Sequence, residues 1–315
     1  MSVRRLRAQT SSRVIDRVFI AVLLAAAIVF LAIIGGLAYS LVAGSSLSLR
    51  TFGAAFLWTS QWNPVTNQFG ALPLIYGTIV SSLIAILLSG LFGVFAAVFL
   101  ADFAPRPIAR PLSFMIELLA AVPSVVFGLW GLFVLAPAMR NAIDPFLQKT
   151  LGFLPIFSGP SYGVGLLTAG VILALMIIPT VTALSRDVIA TIPIDQREAS
   201  MSLGATRWET MTKVVLPAAR AGIFGAIILA LGRALGETIA TTMVIGNRPE
   251  ISASLFAPSY TLASVIANEF TEATTDIYRN SLIELGLLLF IVSVMVNGAA
   301  RLLIWSVFRR SVSAR

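Results

Sequence analysis

Histidine and cysteine are both absent from the 315-residue chain, and lysine occurs only at positions 149 and 213. Without cysteine there is no disulfide framework, no thiolate nucleophile and no sulfur metal site. Without histidine there is no Ser-His-Asp triad, no zinc cluster of the usual kind and no imidazole proton relay. Neither Lys149 nor Lys213 follows a glycine, so the phosphate-cradling G-x-x-x-x-G-K-[ST] loop is missing as well. No metal, cofactor or catalytic residue is therefore expected. Charge is also scarce: 11% of residues are charged and 58% are hydrophobic, whereas a soluble domain carries about 25% charged residues. No soluble core of this size could enclose the long uncharged runs, so the chain reads as an integral membrane protein. The net charge of +8 is dispersed between apolar runs, which marks topology rather than a nucleic-acid-binding patch.

A bilayer crossing takes about 20 apolar residues. Six runs meet that length, near 18–42, 75–101, 112–136, 163–184, 218–245 and 281–306. They predict an all-α integral membrane protein with six transmembrane helices, because lipid offers the backbone no hydrogen-bond partners and the runs do not alternate as barrel strands would. The first run exceeds the 7–15 residues of a signal-peptide core, so a retained anchor is expected. No linker, low-complexity tract or clear repeat divides the chain, which reads as one transmembrane domain over residues 1–315.

Most of the 22 lysines and arginines fall in the N-terminal tail, around Arg106 and Arg110, between Arg186 and Arg220, and at the C-terminal end from Arg301. Arg50, Arg140, Lys149, Arg248 and Arg279 lie on the other side. The positive-inside rule then places both termini in the cytoplasm of a multi-pass plasma-membrane protein. Trp58, Trp62 and Tyr76 fall outside, where they either form an interfacial belt or pack a loop.

The cytoplasmic stretch 186–217 is too amphipathic for a simple connector. Between Pro193 and Pro217, Ala199, Met201, Leu203, Trp208, Met211, Val214 and Val215 mingle with Asp195, Arg197, Glu198, Arg207, Glu209 and Lys213. Gly204 interrupts the helical pattern, which predicts two short helices lying across the membrane face and docking in a groove of a partner. An amphipathic helix that touches only lipid headgroups is the alternative.

Span five contains Gly232-Arg233-Ala234-Leu235-Gly236-Glu237-Thr238. An arginine near mid-bilayer costs about 2.5–3.5 kcal/mol and needs a partner or a wet cavity. Glu237, four residues on, is expected on the same face of the span, within ion-pairing reach. Either the pair pins two helices together, or Arg233 offers a forked donor to an oxyanion while Glu237 moderates its grip. Gly225, Gly232 and Gly236 fall near one stripe, which predicts close approach of another helix. Glu117, Glu284 and Asn297 are accounted for by helix–helix hydrogen bonding, and Pro123 and Pro179 are expected to kink their helices. The Gly159-Pro160-Ser161-Tyr162-Gly163 match to a hydrolase nucleophile elbow lacks both the strand and the histidine that the elbow needs.

Glu198-Ala199-Ser200, Gly204 and Val214-x-Leu216-Pro217 resemble the EAA motif of ABC-importer permeases, E-A-A-x3-G-x9-I-x-L-P, with Ser200 and Val214 as mild departures. Over nearly its whole length the chain further resembles the C-type (PstC) permeases of phosphate-specific ABC importers. The carrying segments are 52–58 with Trp62, Phe69-Gly70-Ala71-Leu72, Ile75-Tyr76-Gly77-Thr78, 116–123, 231–238 running into Ile245-Gly246-Asn247, and Ala267-Asn268-Glu269-Phe270. The resemblance implies a type I importer permease fold and phosphate as the substrate, with sulfate or molybdate as the alternative. It implies an ATPase dimer (PstB-like) docking on Glu198, Ala199, Ser200, Gly204, Arg207, Leu216 and Pro217. It also implies a sister permease (PstA-like), an extracytoplasmic phosphate-binding protein (PstS-like), and a substrate pathway past Arg233, Glu237 and Thr238. A lipid-headgroup hydrolase is disfavoured because Glu117, Glu237 and Glu284 are scattered and lack histidine partners. A secondary carrier has no use for the coupling loop.

Overall fold

The computed structural model describes the backbone of residues 3–312 and the side chains of residues 16–302. The described residues are helical, with two isolated β-bridges and no strand. Among the described residues six helices are long and apolar enough to cross a membrane: Asp16–Gly44, Leu72–Phe103, Ser124–Leu151, Leu166–Ala190, Arg207–Leu235 and Asp276–Leu302. They are the first to sixth spans below. The side chains of Arg4, Arg5, Arg7, Arg13, Arg309, Arg310 and Arg315, which weighed in the orientation argument, lie outside the described residues.

The fourth span is the axis of the bundle, with 67% of its apolar window buried. It packs chiefly on the second and fifth spans. Small residues make that packing close: a Cβ on Gly170 would come within 2.5 Å of Ile84, and one on Gly93 within 2.9 Å of Val181. The first span has none of its apolar window buried and leans mainly on the sixth.

One local pattern recurs in four places, although Pro111 and Pro179 sit inside helices without it. Wide π-turns at Phe99–Phe103, Gly131–Leu135, Met139–Ile143 and Met211–Val215 each end two residues before a proline, namely Pro105, Pro137, Pro145 and Pro217. Proline has no N–H to offer and its ring crowds the preceding turn, and widening that turn relieves both problems. At Pro105 the helix stops, with Ala104 extended at φ −71°, ψ 132°. At the other three it continues.

Two expected spans are corrected. Residues 112–136 are not one helix: Arg106–Ala120 is a separate amphipathic helix with no buried residue, and a new helix starts at Ser124. Pro123 disfavours the helical conformation at Val122, so the chain breaks at 121–123 although its hydropathy is continuous. The third span instead runs on to Leu151. The fifth span covers Arg207–Leu235 rather than 218–245. It stops at Gly236, and a short helix, Ile239–Val244, follows against the start of the third span.

The end of the bundle that carries residues 52–78 and 256–285 is closed by an aromatic cluster. Trp62 meets Phe69 edge-on at 4.9 Å between centroids, and Phe69 stacks on Tyr278 at 5.2 Å. Glu269 Oε2 accepts from both Trp62 Nε1 at 2.7 Å and Tyr278 Oη at 2.6 Å. Of the aromatics with two open readings, Trp62 therefore packs a loop and Trp58 is 73% exposed. Tyr76 donates to the Ser252 carbonyl.

Candidate coupling surface and transport groove

The opposite end of the bundle carries the amphipathic stretch. Its first helix, Ile194–Ser202, begins after Pro193 and ends at a turn where Gly204 has φ 88°. A residue with a Cβ would be strained there, which explains the glycine at that spacing. Thr206 then opens the next helix with a capping box: its hydroxyl accepts from Glu209 N, and the Glu209 carboxylate accepts from Thr206 N. The second helix is not short, as the sequence suggested. It runs through the π-turn at Met211–Val215 and Pro217 into the fifth span without interruption.

The underside of this element is pinned to the bundle. Arg197 Nη1 donates to Asp102 Oδ1 at 2.6 Å, and Nη2 donates to the Ile189 carbonyl at 2.8 Å. Ser200 and Thr210 share a hydroxyl hydrogen bond at 3.0 Å across the turn. The outer side is open. Leu203 is 90% exposed at the tip, with Ile194, Met201 and Trp208 also exposed. Glu198, Ala199, Gly204, Arg207 and Pro217 are exposed, and Ser200 and Leu216 are half-buried. Among the described residues the Glu198 side chain has no hydrogen-bond or ion-pair partner. The loop thus presents an apolar tip beside a free carboxylate.

The second region lies on the fifth span. Ala230 and Ala234 pack on Leu173, Ala174 and Ile177, midway along the fourth span, which sets Arg233 at mid-bundle depth. Arg233 faces a groove of about 770 Å³ lined also by Thr180, Gly225, Gly232, Asn297 and Arg301. The expected Arg233–Glu237 ion pair is not formed. The helix ends at Leu235, so the four-residue spacing no longer places Glu237 on the same face. Glu237 Oε1 instead accepts from Ala240 N at 3.4 Å, and Thr238 Oγ1 donates to the Gly236 carbonyl at 3.2 Å. Arg233 has no carboxylate within 4.0 Å among the described residues.

The glycine stripe is likewise corrected. Gly225 has nothing within 4 Å of an added Cβ, and Gly236 meets only its own helix. Gly232 alone faces another helix, with Asn297 Oδ1 3.4 Å from an added Cβ. The tight approach between spans occurs at Gly222, where a Cβ would lie 2.4 Å from Val188. Glu117 makes the expected helix–helix hydrogen bond: it lies on the separate helix Arg106–Ala120 and accepts from Arg186 Nη2 on the fourth span at 3.1 Å, as an ion pair. Glu284 is buried in the sixth span. Ser161 Oγ donates to Asp144 Oδ2 at 2.5 Å, which ties the loop before the fourth span to the third span.

Sequence reading missed Thr180 and Arg301. Arg301 was counted among basic residues at a chain end, and only the packing of the fifth and sixth spans brings it to the groove.

Residues 89–308, more than half of the chain, match the family described as binding-protein-dependent transport system inner membrane component. The phosphate transport system permease protein PstC of Mesorhizobium japonicum is 47% identical over 300 residues, covering 94% of this chain and 92% of that protein. This chain belongs to the PstC family. A second PstC-family permease, that of Pasteurella multocida, is 46% identical over 86% of each chain. A crystal structure of a bacterial alginate ABC transporter, in complex with an alginate pentasaccharide-bound periplasmic protein, contains a chain that superposes with a TM-score of 0.60. It covers 90% of this chain and 93% of that one at 15% identity, a likeness of fold. The PstC-family permease is thus a multi-pass membrane protein with the fold of type I ABC-importer permeases, and its relatives are transport subunits rather than enzymes.

Proposed function

We propose that this chain is a permease subunit of an ATP-driven importer that moves inorganic phosphate across the plasma membrane. In this reading it stands beside a sister permease, above a cytoplasmic ATPase pair and below an extracytoplasmic phosphate-binding protein. The names of its PstC relatives support phosphate over sulfate or molybdate. The distribution of arginines supports cytoplasmic termini, with the Gly204 turn on the ATPase side.

The observation that carries the mechanism is continuity. The turn at Gly204 and the unpaired Arg233 sit at opposite ends of one helix, Arg207–Leu235. At 1.5 Å of rise per residue they stand roughly 40 Å apart. A push on the exposed Glu198–Arg207 surface is therefore delivered to the groove by a nearly rigid rod. Arg233 supplies a planar, permanently charged fork for an oxyanion. With no carboxylate against it, the guanidinium has its donors free for a passing ligand. Glu237 and Thr238 lie just past the helix end, outside the lining of the groove, and in this reading they border the path beyond Arg233 without pairing with it.

The test is ATP hydrolysis by the reconstituted complex in the presence of its binding protein. Phosphate is expected to stimulate it and sulfate is not. Equal stimulation by sulfate, or none by phosphate, would overturn the substrate assignment.

A further inference from the structure

The groove that holds Arg233 contains a second guanidinium. Arg301, on the sixth span, lines the same cavity, together with the Asn297 amide one turn away and the Thr180 hydroxyl on the fourth span. Three separate helices thus bring polar side chains to one open groove, where both arginines are exposed and Asn297 Nδ2 also donates to the Ser293 carbonyl at 2.8 Å. Neither arginine has a carboxylate within 4.0 Å among the described residues. Two like charges facing one groove repel each other, and no carboxylate among the described residues lies close enough to offset them. An anion in the groove offsets them.

The fifth and sixth spans run antiparallel, and Asn297 lies level with Gly232. Arg301 follows Asn297 by four residues, so it sits about 6 Å further along the axis, toward the end of the bundle that carries the Gly204 turn. The two arginines are therefore staggered in depth rather than side by side.

The geometry points to Arg301 as a second oxyanion contact, with Asn297 and Thr180 as neutral donors, through which the anion passes after leaving Arg233 on its way to the coupling-loop side. This rests on the phosphate-permease reading and adds to it a residue from a different helix. Staggered forks suit transport better than one tight clamp, because each step exchanges one charge-assisted contact for another and no single site holds the anion too strongly.

The absence of cysteine from the chain allows a charge-restoration test in the assembled importer with cysteine-free partners. Arg301→Cys and Arg301→Gln should assemble with the partner subunits and lose about tenfold or more of phosphate uptake, the scale of one charge-assisted hydrogen bond. Modification of Arg301→Cys by a cationic thiosulfonate should restore uptake, a neutral reagent of similar size should not, and inorganic phosphate should slow the modification. Normal uptake by both variants, or equal rescue by the neutral reagent, overturns the role of Arg301. So does failure of both variants to assemble while Arg301→Lys assembles, since Arg301 is then a structural residue. If the unsubstituted complex takes up sulfate and not phosphate, it is the substrate reading that falls, and the rescue can be repeated with sulfate.

Discussion

Arg197 and Asp102 form an ion pair at 2.6 Å with both side chains largely buried, 15% and 22% exposed. The pair joins the loop helix Ile194–Ser202 to the π-turn that closes the second span. It makes the coupling element part of the bundle rather than an appendage on the headgroups.

Arg197→Ala is therefore expected to loosen the loop. A hydrogen bond to a charged group contributes about 1.5–3 kcal/mol, and a double-mutant cycle with Asp102→Ala, read by thermal unfolding in detergent, should return a coupling energy of that order. A coupling near zero would mean that the contact does not anchor the loop.

Glu198→Lys is expected to behave differently, because the Glu198 carboxylate has no hydrogen-bond or ion-pair partner among the described residues. The variant should insert and unfold like the parent, while uptake falls by about tenfold or more, as a loss of about 1.4 kcal/mol in docking would produce. Parental uptake would remove Glu198 from the docking surface.

Gly222 and Gly225 separate packing from mere smallness. Gly222→Val drives a side chain into Val188 and should cost about 1–3 kcal/mol as overpacking. Gly225→Ala meets open space and should leave the unfolding temperature equal or slightly raised, since alanine favours a helix over glycine by up to about 1 kcal/mol. The reverse ranking would contradict the placement of the fourth span against the fifth.

Glu269→Ala strips the acceptor shared by Trp62 and Tyr278. Each orphaned donor costs about 1–3 kcal/mol, so tryptophan-detected unfolding should shift well below that of Glu269→Gln, which keeps an acceptor oxygen. Similar shifts for the two variants would show that the aromatic packing alone closes this end.

The six spans were legible because lipid forces long uncharged runs into helices, and the Gly204 turn was legible because its glycine occupies a left-handed backbone. What failed depended on breaks that hydropathy cannot see. Pro123 splits an apolar run that reads as continuous, whereas Pro217 fails to split a helix because a π-turn absorbs it. The Arg233–Glu237 pair presupposed an unbroken helix through Gly236. The groove was out of reach for another reason: Thr180, Arg233, Asn297 and Arg301 come from three helices, and no spacing along the chain announces their convergence.

Arg233 bears the central claim, that an unpaired guanidinium on the rod driven by the coupling loop handles the transported oxyanion. ATP-dependent uptake of labelled phosphate into proteoliposomes, comparing Arg233→Gln with the unsubstituted complex, tests it most directly. The expected result is loss of uptake in a complex that still assembles with its ATPase. Undiminished phosphate uptake by the assembled Arg233→Gln complex would contradict it.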